Sequence, residues 1–136
     1  MKALGRHIVC EFSGCDPMLL SDVDGIHSMM IEAAQAARAT VMESAFYRFE
    51  PQGVSGTVIL AESHLSIHTW PEKGYAAMDF YTCGEHTDPW LACRHAAQAL
   101  EAASVLTTEI KRGIEKSDGE FTHVLAADRD LAVLSA

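Results

Sequence analysis

At 136 residues the chain suits one compact domain, and 49% hydrophobic with 21% charged residues is a globular rather than a disordered balance. A net charge of −9 argues against a nucleic-acid binder, which carries basic patches, and fits a soluble acidic protein or a small cationic ligand. No run approaches the ~20 apolar residues of a membrane span. Arg6 and His7 interrupt the N-terminal apolar residues before a signal sequence can form, so a cytoplasmic protein with reduced thiols is expected.

The segment "GRHIVCEF" (5–12) reads as a first strand, imperfectly alternating but rich in β-formers. Val23, Ile26, Met30, Ala33 and Ala37 then recur at helical spacing, the buried stripe of an amphipathic helix that Gly25 weakens without breaking. "TVMESAFYRF" (40–49) returns to strand composition, and "PQG" (51–53) reads as a turn. "VSGTVILAE", "LSIHTW" and "YAAMDFYT" follow as strands with links too short for parallel crossovers, so neighbours should pair antiparallel. Asp88 and Pro89 mark the N-cap and first residue of a second helix, with Trp90, Cys93, Ala97 and Leu100 as its stripe. "SVLTTEIKR" (104–112) reads as a last strand, and residues 114–136 form a tail of unassigned role.

Two helices and about six strands predict an α+β fold, a two-layer sandwich with both helices on one face of a mainly antiparallel sheet. The strand over 40–49 is apolar on both sides, with Val41, Ala45, Tyr47 and Phe49 on one and Met42 and Phe46 on the other. A sheet apolar on both faces needs a second cover, so a homodimer packed sheet to sheet is expected.

The stretch "ESHLSIHTWPE" (62–72) gathers reactive groups in strand context. His64 and His68 could share a metal on a helix, but in a strand four residues span about 13 Å. The four cysteines contain no CxxC pair, so no metal site is expected. Singly, Ser63, His64, His68 and Cys83 read as hydrogen-bonded or buried groups of a half-buried sheet. Together they allow acyl chemistry without a GxSxG elbow. Ser63 and His68 are five apart and face opposite sides of a straight strand, so their cooperation calls for a turn or bulge between them. That would put Ser63 at a strand end, where its hydroxyl can attack a strained Glu62 carbonyl.

The central block "ESHLSIHTWPEKGYAAMDFYTCG" (62–84), preceded by "RFEPQGVSG" (48–56) and "GRHIVCEFSGCDP" (5–17), resembles the small bacterial and archaeal S-adenosylmethionine decarboxylases, over roughly residues 3–113. The resemblance implies self-cleavage into a β chain, residues 1–62, and an α chain, residues 63–136. Ser63 would attack Glu62, and the α chain would begin with a pyruvoyl group made from Ser63, the cofactor that forms a Schiff base with the substrate. His68 is implied to transfer a proton in processing, Ser55 to assist it, and Cys83 to be the proton donor in catalysis. Phe49, Leu65, Trp70 and Glu72 are the implied substrate contacts, aromatic faces suiting a sulfonium cation and an adenine ring. The implied reaction supplies the aminopropyl donor for spermidine, in a homodimer of αβ units. A pyruvoyl-dependent ornithine or arginine decarboxylase on the same scaffold, or a non-catalytic regulatory paralogue, are the alternatives.

Overall fold

A computed structural model describes residues 2–132. Its elements are β1 (Ala3–Ser13), α1 (Pro17–Ser21), α2 (Val23–Ala36), β2 (Val41–Arg48), β3 (Val54–Leu60), β4 (Ser63–Trp70), a 3₁₀ turn (Pro71–Lys73), β5 (Tyr75–Cys83), α3 (Pro89–Ala99), β6 (Ser104–Glu115) and β7 (Phe121–Ala132). The seven strands form one sheet in the order β2-β3-β4-β5-β1-β6-β7, with every pair antiparallel. β1, first in the chain, therefore sits between β5 and β6.

Alternation divides the sheet into two faces. Ile8, Cys10, Phe12, Val54, Val58, Leu65, Ile67, Met78, Phe80 and Val105 are buried under the helices. From α2 come Ile26, Met30 and Ala33, and from α3 Cys93, Ala96 and Ala97, all buried in the same core. Cys93 lies 3.3 Å from Cys10, sulfur to sulfur, and burial followed by that contact raises the Cys10 thiol well above its ordinary pKa. The other face carries His7, Glu11, Ser55, Ser66, His68 and Asp79, which line an open trough of about 490 Å³. Tyr47, Ile59 and Leu106 are exposed around it.

The predicted two-layer architecture is present, and the Asp88 cap is as read, its carboxylate accepting from the Trp90 N–H at 3.0 Å. Four details differ. The short helix α1 has no stripe to reveal it; its signal is Asp16, which accepts from the Met18 N–H, followed by Pro17. In β2 a bulge between Val41 and Glu43 breaks the alternation, so Val41 packs on the core along with Phe46 instead of siding with Tyr47 and Phe49. Much of the unassigned tail is β7, a seventh strand; two register shifts against β6 break the period-2 pattern that would have marked it. Residues 133–136 of that tail lie outside the described residues. Finally, β4 runs from Ser63 to Trp70 in unbroken register with both neighbours, so the turn or bulge expected between Ser63 and His68 is absent.

Candidate active site

Ser63 opens β4 with φ at +148°, a region that residues bearing a Cβ rarely occupy. Its register partner is Thr82, next to Cys83 at the end of β5. The Cys83 N–H donates to the Glu62 carbonyl oxygen at 2.9 Å, clamping the peptide bond before Ser63 across the two strands. The unusual φ also redirects the serine side chain. In a regular strand Ser63 and His64 would point to opposite faces, yet Ser63 Oγ lies 3.0 Å from His64 Nδ1.

The Glu62 side chain anchors this junction from beneath. It is 7% exposed and accepts from the Thr40 N–H at 2.9 Å, the Thr40 hydroxyl at 3.1 Å and His86 Nε2 at 2.8 Å. Burial works against its charge, but the Thr40 and His86 hydrogen bonds outweigh it and hold the carboxyl below the usual range. Thr40 and His86 lie 22 and 24 residues from Glu62 in the chain, so sequence spacing could not associate them with it. His86 is exposed at the ring but bound to Glu62.

Further along the open face, Asp79 of β5 receives a hydrogen bond from His7 Nε2 at 2.8 Å and a short one from the Ser66 hydroxyl. His64 Nε2 approaches the same carboxylate oxygen at 3.4 Å. No local sequence signal marks Asp79, because its partners come from β1 and β4 rather than from its own neighbourhood.

The remaining candidates sit at the other end of β4. Ser55 is the cross-strand partner of His68. The His68 ring centroid lies 5.5 Å from that of Phe49 and 4.3 Å from that of Trp70, which in turn stacks on Tyr75 at 5.0 Å. Glu72 is exposed on the 3₁₀ turn that follows. Leu65 stands apart, fully buried on the helix-covered face. Within one chain the candidates thus form two groups on one strand ladder. Ser63 and Cys83 lie at one end, and Ser55, His68, Phe49 and Trp70 at the other. Ser63 and His68 are five positions apart along an extended strand, about 16 Å.

Comparison with known proteins gives the family. Residues 6–113 match the family model described as S-adenosylmethionine decarboxylase. A relative from Caldicellulosiruptor saccharolyticus is 54% identical over 114 residues, 84% of this chain and 92% of that protein. One from Pyrococcus abyssi is 49% identical over 125 residues, 92% of this chain and 90% of that protein. Both are named S-adenosylmethionine decarboxylase proenzymes. The crystal structure of the adenosylmethionine decarboxylase from Aquifex aeolicus superposes with a TM-score of 0.80 at 35% identity, covering 88% of this chain and 99% of that one. A match over most of the chain, in sequence and in fold, places this protein in the S-adenosylmethionine decarboxylase family.

Proposed function

We propose that the chain is a proenzyme that cuts itself between Glu62 and Ser63 and then decarboxylates S-adenosylmethionine. The observation that carries the reading is the junction itself: a serine at φ +148° follows a carbonyl already held by a backbone N–H. Such an arrangement fits a bond made to break. The Ser63 hydroxyl attacks the Glu62 carbonyl carbon, and the Cys83 N–H is placed to stabilise charge on the carbonyl oxygen. The resulting ester loses its alcohol side by β-elimination, leaving Glu62 as a free C-terminus. Hydrolysis of the new N-terminal residue, with release of ammonia, gives the pyruvoyl group. Once formed, that group supplies a conjugated carbonyl able to accept electrons as carbon dioxide leaves.

Other residues take roles consistent with their positions. Cys83, exposed at the strand end beside the junction, donates the proton to the substrate carbon. Phe49 and Trp70 offer aromatic faces to the sulfonium and the adenine. Ser55 and His68 assist processing, and here the distance along β4 requires a second copy. Two open faces packed together about a two-fold axis across the strands bring the Ser63 end of one chain over the His68 end of its partner. Exposed Tyr47, Ile59 and Leu106 on that face favour such burial.

Intact mass under denaturing conditions tests the proposal. Expected are two chains divided after Glu62, the second carrying a ketone in place of the serine amine. A single uncut chain after long incubation, with no carbon dioxide released from carboxyl-labelled S-adenosylmethionine, overturns it.

A further inference from the structure

Self-processing starts with removal of the Ser63 hydroxyl proton, and His68 of the same chain is about 16 Å away along the strand. A nearer acceptor exists. Arg112 Nη1 lies 3.2 Å from His7 Nδ1, and because arginine only donates, that nitrogen accepts. The His7 proton therefore sits on Nε2, facing Asp79 Oδ2 at 2.8 Å. Ser66 donates to the other Asp79 oxygen. Burial opposes charge on Asp79, but the His7 and Ser66 bonds outweigh it and hold the carboxyl below its usual range, so it is an anion at neutral pH. His64 turns Nε2 toward that anion at 3.4 Å, which favours the proton on Nε2. Its Nδ1 is left with a free lone pair, and this is the atom 3.0 Å from Ser63 Oγ.

We infer that His64 is the base that takes the Ser63 hydroxyl proton in the first step of self-processing, with Asp79 as the positioning residue that sets its tautomer. The inference rests on the self-processing reading above. In the step, the Oγ–H proton passes to His64 Nδ1 as the bond from Oγ to the Glu62 carbonyl carbon forms. The bond from that carbon to the Ser63 nitrogen then breaks, and the nitrogen takes the proton back from His64. The product is an ester with a free amine, isomeric with the starting peptide, and no net proton is gained or lost. His68 is left to the later elimination, so the two histidines act on different bonds. The same three groups, His7, His64 and Asp79, lie within 4.8 Å of one another and could in principle gather a cation. The Arg112 guanidinium against His7 and the proton it keeps on Nε2 disfavour that use.

The test compares freshly translated wild type, His64→Ala, His64→Asn, Asp79→Asn and His68→Ala chains for cut product and for cleavage by neutral hydroxylamine, which opens an ester and spares an amide. Wild type should cut itself. His64→Ala should cut at least about a hundred-fold more slowly, give no hydroxylamine-sensitive fraction, and recover with added imidazole. His64 is 39% exposed at the side chain, so a small base can enter. Asparagine at 64 keeps an acceptor near Nδ1 without a base, and serves if the alanine variant does not fold; it should also stay uncut. Asp79→Asn can donate to Nε2 and move the proton to Nδ1, so it should slow cutting by ten-fold or more. His64 variants that fold and cut within three-fold of wild type, or that accumulate ester as His68→Ala should, overturn the inference and leave the self-processing reading standing. Cutting that stops with a chelator and returns with zinc also overturns it, in favour of a metal site. A wild-type chain that never cuts removes the underlying reading instead.

Discussion

Held at φ +148°, Ser63 occupies a conformation that costs a residue with a Cβ about 1–3 kcal/mol. Ser63→Ala and Ser63→Gly chains should both remain uncut, but they should differ in stability. Glycine tolerates the angle while gaining freedom in the unfolded chain, so the glycine variant should be more stable than the alanine variant by about 1 kcal/mol in urea unfolding. Equal stabilities would mean the junction stores no strain. Glu62 gives a second test. Its folded pKa lies below the unfolded value of about 4.3, so its contribution is full above that pH and is lost as pH falls through the lowered folded value. In the uncut Ser63→Ala background, Glu62→Gln should be less stable near neutrality, and the gap to its parent should close below about pH 4. At this scale the sequence pointed to a strand end at Ser63, but by way of a turn between Ser63 and His68 that β4 does not have. It could not reveal the residues that hold it. Thr40, His86, His7 and Asp79 reach the junction through the sheet and the loops before β2 and α3, contacts that no local spacing encodes.

Elements were legible where caps and periodicity agree. Asp88 and Pro89 announced α3, and Ile26, Met30 and Ala33 announced α2, since both signals are local. Parity failed where the backbone departs from it, at the β2 bulge and along β7. One close approach also needed the fold to be seen. A Cβ on Gly56 would meet the Phe46 ring at 2.0 Å, and that ring stacks on His27 of α2 with centroids 4.5 Å apart. Gly56→Ala should therefore cost about 1–3 kcal/mol by overpacking, measured by denaturant unfolding of the uncut chain. In a Phe46→Ala background the same change should cost clearly less, because the colliding ring is gone.

For the whole molecule, a sheet with its helices on one face was foreseen from the count of helices and strands. What the sequence could not show is that Ser63 with Cys83, and Ser55 with His68, lie at opposite ends of one ladder. If the partner completes each site, a His68→Ala chain and a Cys83→Ala chain should rescue one another. Random pairing makes half the dimers mixed, each with one intact site of two, so co-expression should restore about a quarter of wild-type decarboxylation. Separately expressed and unmixed, both should stay inactive. Activity absent from the mixture, with mixed dimers demonstrated by mass, would place each site within one chain.

The position of β1 between β5 and β6 has a consequence for the cut protein. A break after Glu62 leaves β1, β2 and β3 on one piece and β4 through β7 on the other. The first piece then holds the second at two separate seams, β3 against β4 and β1 against both β5 and β6. The pieces are interleaved like clasped fingers, and neither can leave without tearing the sheet. Before the cut, threading β1 into place is an event within one chain; afterwards it becomes an encounter between two molecules. The uncut Ser63→Ala chain should thus refold from urea at a rate independent of concentration, whereas the cut protein should refold more slowly as it is diluted. Under the proposed self-cleavage, the first folding of this molecule is the one that its working life depends on.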